Sequence, residues 1–444
     1  MRVEEYAPDV LFRQFVDDDL GCGSYLVGDA EAGAAVVVDP AFAIEQYLEA
    51  AEREGVRITR VLETHTHADH VSGHGRFALE YGVPVSIHPL ARAEYPFDPL
   101  EDGQVVRVGS VTIRVVHTPG HRPEHCAFVV DDELVLTGDS LFVGGAARPD
   151  LAIEAREGAA DLHRSLRELG RLLADDVVVY PGHMGGSLCG SNLSEEHSTS
   201  IGREKRTNSV FTSDRDSFVD ESSAVSTPRP PTTERVVALN RGPWVAARPL
   251  PEQVEDAGDA TVLDVRPVDE FAAGHVPGAI SVALDGGSFA TRSAFVLDAA
   301  ERVVLHARSS AEAEEAARRL WSVGLFETVG YLVDPRASDT TTTVTVPELA
   351  RLLEEDEPQV LDVREDDERE ATSLPFAVEL PYRLVRGAPP AALDPARPVY
   401  TICASGARAT LAASILARDG YDARPVVGGG VADLAKLDAK LVSR

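Results

Sequence analysis

Lysine is nearly missing from this chain. Of 444 residues only Lys205, Lys436 and Lys440 are lysines, so the 42 basic residues are almost all arginines, facing 73 acidic residues and a formal net charge of −31. Such an acidic excess repels a phosphate backbone and excludes the electrostatic footprint of a nucleic-acid binder. An acidic surface that prefers arginine to lysine resembles the proteins of salt-accumulating halophiles, where counter-ions screen the self-repulsion. It speaks of solvent and carries no catalytic inference. Cysteine is scarce too: Cys22, Cys126, Cys189 and Cys403 are too few and too scattered for a disulfide framework, which predicts a reducing, cytoplasmic setting. No apolar run is long enough to span a bilayer, and Met1-Arg2-Val3-Glu4-Glu5 does not read as a signal peptide, so no membrane partner is expected. With 44% hydrophobic residues, ordinary cores can form, and the length fits two or three domains.

What the sequence does have is histidine in a dense pattern. Thr64-His65-Thr66-His67-Ala68-Asp69-His70 follows the apolar run Ile58 to Leu62, which reads as a buried strand ending at the histidines. Alternation predicts His65 and His67 on one side of the turning chain, with Asp69 and His70 opening the next element and facing the same point. The same grammar of apolar strand, glycine-containing turn and ligand-type residue recurs downstream. Val111 to Val116 runs into Thr118-Pro119-Gly120-His121, Leu134 to Leu136 into Thr137-Gly138-Asp139, and Val177 to Val179 into Tyr180-Pro181-Gly182-His183. Together these predict a sheet whose loops converge on one metal centre.

At these motifs residues 1 to about 240 resemble the metallo-β-lactamase superfamily, which implies an N-terminal αββα fold. The resemblance leaves two chemistries open. A two-metal hydrolase of the hydroxyacylglutathione (glyoxalase II) type would place two Zn2+, one on His65, His67 and His121, the other on Asp69, His70 and His183, with Asp139 between them, and would make hydroxide to attack a thioester. The persulfide dioxygenase branch would hold one Fe2+ per chain on His65, His121 and Asp139, a two-histidine, one-carboxylate face with positions open for sulfur and oxygen. His67, Asp69, His70 and His183 would then orient those ligands and exclude a second metal.

The C-terminal half favours sulfur chemistry. Val262-Leu263-Asp264-Val265-Arg266, Glu270-Phe271 and Gly274-His275-Val276-Pro277-Gly278-Ala279 resemble the opening of a rhodanese domain. A second copy opens at Val360-Leu361-Asp362-Val363-Arg364 and reaches Cys403-Ala404-Ser405-Gly406-Ala407-Arg408, a loop between a strand and the helix Ala409 to Arg418. Aligning the copies through their helices sets Ala307 opposite Cys403 and Glu312 opposite Arg408. The resemblance implies that Cys403 carries sulfur on a loop of backbone amides, aided by Arg408, and that the first copy has lost its nucleophile. The second copy lacks the Gly-His-Val-Pro-Gly-Ala element, with Ser373-Leu374-Pro375-Phe376-Ala377 near its place, so altered local packing is expected there.

Between the halves, Ser209 to Thr233 is rich in Ser, Thr, Asp and Pro and reads by composition as a flexible linker, with partial order against the first domain the alternative. The basic cluster Arg203, Lys205 and Arg206 is conspicuous in so acidic a chain and suits an anionic thiol substrate, or equally a solvated helix face. Cys22, in a glycine-flexed turn, is a candidate persulfide-handling thiol or a plain turn cysteine. Cys126 reads as core, and His125 as a pocket residue. Arg148 and Asp150 follow the Asp139 strand, and the resemblance suggests that Arg148 holds substrate.

The expected architecture is α/β throughout: an αββα domain over 1–240 with a connecting segment from about 190, a rhodanese-like domain without cysteine over 241–336, and one with Cys403 over 340–444. The expected reaction is oxidation of a low-molecular-weight thiol persulfide by O2 to sulfite, with sulfurtransferase chemistry between persulfide, sulfite and thiosulfate at Cys403. The expected partners are those small molecules, and a homo-oligomer is expected.

Overall fold

Described in a computed structural model are residues 10–149, 154–185, 194–224, 228–335, 338–355 and 357–443. Asp150 and Cys189 fall outside them. The chain divides into two compact units, Met1–Arg248 with Trp321–Gly324, and Pro249–Leu320 with Leu325–Arg444.

The first unit is two six-stranded sheets between helices. One sheet runs in chain order through Leu11–Asp17, Cys22–Asp29, Ala34–Val38, Arg57–Leu62, Val85–Ile87 and Asp98–Pro99. The other runs Thr199–Ser200, Val178–Pro181, Leu134–Gly138, Cys126–Val130, Val111–His117, Val105–Val108. Alternation decides which side chain goes where. Tyr25 and Val27 point between the sheets, where they meet Phe12, Leu62, Ile113, Phe128, Leu136 and Tyr180. Leu26 and Val37 point outward and are covered by Tyr47, Ala50 and Phe77 from the helices Glu45–Glu54 and His74–Tyr81. On the second sheet, Val129, Val135 and Val179 are covered by Leu162, Leu166 and Leu169 of the helix Ala155–Leu172. The order of layers is therefore α, β, β, α, as expected. Cys126 is buried in this core.

Of the two readings of the connecting segment, partial order against the first domain is the one that holds. Much of Ser209 to Thr233 is helical, in Ser209–Thr212 and Arg215–Ala224, and the helix Thr233–Arg241 follows. Val210, Phe218 and Val236 are buried, and Val210 and Phe218 join the core under the helix Ala155–Leu172. A few apolar anchors suffice to order a segment whose composition reads as coil.

The second unit holds two parallel sheets: Ile280–Ser281, Thr261–Asp264, Val303–His306 and Thr328–Leu332 in one; Val344–Thr345, Ala423–Val427, Val399–Ile402, Gln359–Asp362 and Val378–Glu379 in the other. The repeat shows at atomic detail. Arg266 and Arg364 each bind the aspartate two residues earlier at 2.6 Å, then donate to a carbonyl eight residues on, Gly274 O at 2.8 Å and Thr372 O at 2.7 Å. The departing Ser373 to Ala377 segment keeps the turn of its counterpart: Ala279 N donates to Val276 O and Ala377 N to Leu374 O, both at 3.0 Å. What changes is packing, since the His275 ring stacks on Phe271 with centroids 4.0 Å apart, whereas Ser373 Oγ meets Ser443 Oγ at 2.6 Å. Among the described residues no helix is long and apolar enough to cross a membrane.

Candidate metal and sulfur centres

The four strand-end loops do converge. His65 follows the strand Arg57–Leu62, and its ring is oriented from behind: Asp39 accepts the Thr64 hydroxyl proton at 2.8 Å, so Thr64 Oγ1 is left to accept from His65 Nδ1 at 2.9 Å. His121 leaves a turn that needs glycine, because a Cβ on Gly120, at φ 152°, would lie 2.5 Å from Leu162 Cα. Its Nδ1 must donate, since its partner at 2.8 Å is the Arg148 carbonyl oxygen. In both histidines Nε2 is therefore a bare lone pair. Both aim at Asp139 Oδ2, at 3.8 Å from His65 and 3.4 Å from His121.

Three proton-free donors thus face one another in a dry site. All three residues are about 1% exposed, their ligand atoms lie within 4.8 Å of one another, and His65 Nε2 and Asp139 Oδ2 have no hydrogen-bond partner. Orphaned lone pairs at such closeness repel unless a cation lies between them, so the residues fit a metal ion. Burial pushes both imidazoles below their ordinary pKa, which keeps them in the form that ligates.

The other four residues named as ligands surround this trio with partners of their own. His183 Nδ1 lies 2.6 Å from Asp139 Oδ1 and its Nε2 2.9 Å from Asp69 Oδ2, so it bridges two carboxylates. Cys22 Sγ closes on this bridge, 3.2 Å from His183 Nε2 and 3.1 Å from Asp69 Oδ2, while His70 Nδ1 lies 3.1 Å from Asp69. Burial, with Asp69 beside it, pushes the Cys22 thiol well up, so it stays protonated. The rings of His65 and His67 lie side by side, centroids 4.3 Å apart, but His67 is held by other partners. Its Nε2 is 3.3 Å from Asp39 and 3.2 Å from Glu63, and although burial opposes its charge, those two carboxylates raise it well above the ordinary histidine value. Among the described residues, the converging trios are His65–His121–Asp139, Cys22–Asp69–His183, His67–Asp69–His70 and Asp39–Glu63–His67; the trio His65–His67–His121 is not among them.

Several supporting residues escaped the sequence reading. Asp39, Thr64 and Glu63 orient the loop, and Asn240, at the end of a helix far along the chain, donates to His67 O at 3.0 Å and His70 O at 2.8 Å while accepting from Ser72 N at 2.9 Å. No local motif marks Asn240. His125 is buried beside the centre, its ring 5.3 Å from His65. Arg148 is buried and contributes its carbonyl to His121. The basic cluster is not joined to the histidines: Arg203 binds Glu196 at 3.0 Å, Lys205 binds Asp175 at 2.6 Å, and Arg206 also faces Asp175. The residue of that helix that turns inward is Glu204, fully buried, holding Thr199, Asn208 and Gly144 N.

In the second unit the ladders settle the alignment of the copies. Asp264 pairs with His306 and Asp362 with Ile402, so the next residues, Ala307 and Cys403, occupy equivalent places. Cys403 is buried at the start of a loop ending in Gly406, whose amide donates to Sγ at 3.1 Å. Gly406 has φ 104° and a Cβ there would meet Val426 O at 3.2 Å, so the tight loop needs glycine. Arg408 grips Glu368 at 2.5 and 2.8 Å. In the first copy Glu312, opposite Arg408, folds back on Arg308 at 2.7 Å.

Comparison with known proteins agrees with both halves. A model of the metallo-beta-lactamase superfamily matches residues 17–183, and a rhodanese-like domain model matches twice, over 249–334 and 345–436. The mitochondrial persulfide dioxygenase ETHE1 of Bos taurus is 30% identical over 241 residues, 52% of this chain and 87% of that protein. The chain belongs to the metallo-beta-lactamase superfamily, with an ETHE1-type architecture fused to two rhodanese-like domains. A hydroxyacylglutathione hydrolase of Rhodopseudomonas palustris (strain BisB5) is 35% identical over 181 residues, 40% of this chain and 67% of that one. Among solved structures, a metallo-beta-lactamase from Staphylococcus aureus subsp. aureus COL matches with a TM-score of 0.68 and 26% identity, covering 73% of this chain and all of that one. The superfamily implies a bound metal, and the buried donors described above can hold one.

Proposed function

We propose that the first unit oxidises a low-molecular-weight thiol persulfide with O2 to sulfite and the free thiol, and that Cys403 in the second unit carries sulfane sulfur, with sulfite and thiosulfate as further partners. The observation that carries this reading is the different engagement of neighbouring histidines. His65, His121 and Asp139 present three lone pairs to one point, whereas His183 is tied between two carboxylates and His67 is turned to Asp39 and Glu63. That donor set fits a single ferrous ion with open coordination positions, which when bound supplies the redox chemistry for O2. The protein's own part is to keep the donors unprotonated, exclude water and hold Asp139 by one oxygen through His183. Cys22 and Arg148 are the side chains we assign to the substrate. Limits near residues 240 and 340 for the three domains accompany this reading. Cys403 sits where loop amides and the start of the helix Ala407–Arg418 stabilise an anion on sulfur.

The trio His67–Asp69–His70 keeps a second reading, a two-zinc thioester hydrolase, in view. Elemental analysis of protein purified without added metal, with oxygen uptake on a thiol persulfide, separates the two. About one iron per chain and oxygen consumption, both lost in His65→Ala, are expected for the oxygenase. Two zinc ions, no oxygen uptake and thioester cleavage would establish the hydrolase instead.

A further inference from the structure

Arg408 lies in the first turn of the helix Ala407–Arg418, just after the loop that carries Cys403. A cation there opposes the positive end of the helix dipole, and no acidic residue of the turn itself offsets it. The offset comes from another element. Glu368, in the helix Asp366–Ala371, grips the guanidinium with both oxygens, at 2.5 Å to Nη1 and 2.8 Å to Nη2, and the same carboxylate accepts Glu365 N at 3.1 Å, so it is itself held in place. Such a two-bond fork fixes the orientation of Arg408 as well as its position. It also turns a charge into a dipole: Cys403 feels the charge of Arg408, and the carboxylate cancels much of that field. In the copy without a cysteine, Glu270 follows the strand's aspartate at the same spacing as Glu368, yet comes only within 3.7 Å of Arg308. The tight grip accompanies the thiol. Other charged groups about the loop are engaged elsewhere: Asp433 accepts Gly430 N at 3.1 Å and binds Lys436 at 2.9 Å, Asp362 binds Arg364 at 2.6 Å, and Arg383 binds Glu365 at 2.9 Å. Tyr382, with Arg292 and Arg383 near it, is buried beside Arg408, and burial pushes its hydroxyl up, so it stays neutral.

We propose that Glu368 is a positioning residue for the chemistry at Cys403: by holding Arg408 it sets how readily the thiol ionises and how strongly the loop draws an anionic sulfur donor. The proposal rests on the reading of Cys403 as a sulfur carrier. With thiosulfate as donor, the Cys403 thiolate attacks the outer sulfur. A bond forms between Sγ and that sulfur, the S–S bond of thiosulfate breaks, and its electron pair leaves with sulfite, so no oxidant or reductant is needed. A guanidinium without its carboxylate would stabilise the thiolate and attract the approaching dianion. Gripped by Glu368, Arg408 keeps its place but does less of both.

The test uses the full-length protein and follows two quantities on the Cys403 peptide by mass spectrometry: alkylation by iodoacetamide as a function of pH, and persulfide formation from thiosulfate. Glu368→Gln keeps the shape and an oxygen for the helix cap but loses the charge. It should lower the alkylation midpoint by about half a pH unit, which is roughly threefold more thiolate at a pH below it, and should speed loading from thiosulfate about threefold or more. Added salt should narrow both differences, and Glu368→Asp, which keeps the charge, should bring the midpoint back toward that of the parent. A Gln variant with the parent's midpoint overturns the positioning role, as does a shifted midpoint without faster loading; in either case Cys403 still loads and the sulfur-carrier reading stands. A parent protein in which neither thiosulfate nor a thiol persulfide loads Cys403 overturns the sulfur-carrier reading, and the role of Glu368 falls with it.

Discussion

His65 and His121 are each set by one hydrogen bond on the far side of the ring, and burial favours their neutral form. His125 shows this in its simplest form. It is fully buried, Thr118 Oγ1 lies 2.8 Å from its Nδ1, and burial, with His121 adding to it, lowers its pKa to about 3. The unfolded chain takes up this proton near pH 6.5 and the folded protein does not until about pH 3, so the contribution is complete above 6.5 and is lost as pH falls between those values. By pH 4.5 the loss from this one group is about 2 to 3 kcal/mol. In chelator-treated protein, His125→Gln should show a shallower fall of Tm from pH 7 to 4.5 than the parent; parallel falls would place the acid lability elsewhere. At this scale much of the centre was legible: every ligand-type residue named from the strand-turn grammar lies in the cluster. Which way each ring faces was not. The spacing of His65 and His67 predicts a shared side, and their rings do lie 4.3 Å apart, but Asp39 and Glu63 take up His67 Nε2, and no local pattern announces that Asp39 will arrive there.

The helix Thr233–Arg241 shows why composition leaves the order of the chain before the second unit open. Its run of Ser, Thr and Pro neighbours suggests coil, yet Val236 is buried and Asn240 reaches back to the loop of histidines. A contact between residues 170 or more positions apart leaves no trace in either segment alone. Conversely, the rhodanese repeat was legible because both copies repeat the same short strand, turn and arginine, and the strand ladders then fix Ala307 against Cys403. Asn240 makes a demanding test of the element. Asn240→Ala would leave two buried carbonyls without their donor, a cost of about 1 to 3 kcal/mol in stability. Because those carbonyls belong to His67 and His70, metal affinity should fall by roughly 10- to 100-fold, measured by competition with a chelator. An unchanged affinity together with the lowered Tm would mean that Asp39 and Thr64 hold the loop unaided.

For the molecule as a whole, the proposed function gives the two chemistries to separate units with separate requirements. The metal centre needs neutral imidazoles and an orphaned carboxylate oxygen, and nothing in that list involves a thiolate. Under the proposed function, Cys403 must act as a nucleophilic anion beside the Gly406 amide, a role serine cannot fill because its hydroxyl stays protonated. Cys403→Ser should therefore abolish sulfur transfer while iron content and oxygen uptake remain close to those of the parent, and sulfite should accumulate where thiosulfate had formed. His65→Ala should do the reverse, removing iron and oxygen uptake while the Cys403 peptide still acquires a persulfide. Assayed side by side for oxygen uptake, sulfite and thiosulfate, the two variants should complement each other when mixed, since sulfite released by one is a free small molecule that the other can use. Thiosulfate formation that survives Cys403→Ser would move the transferring thiol to Cys22 or Cys189, and the division of labour between the units would fail.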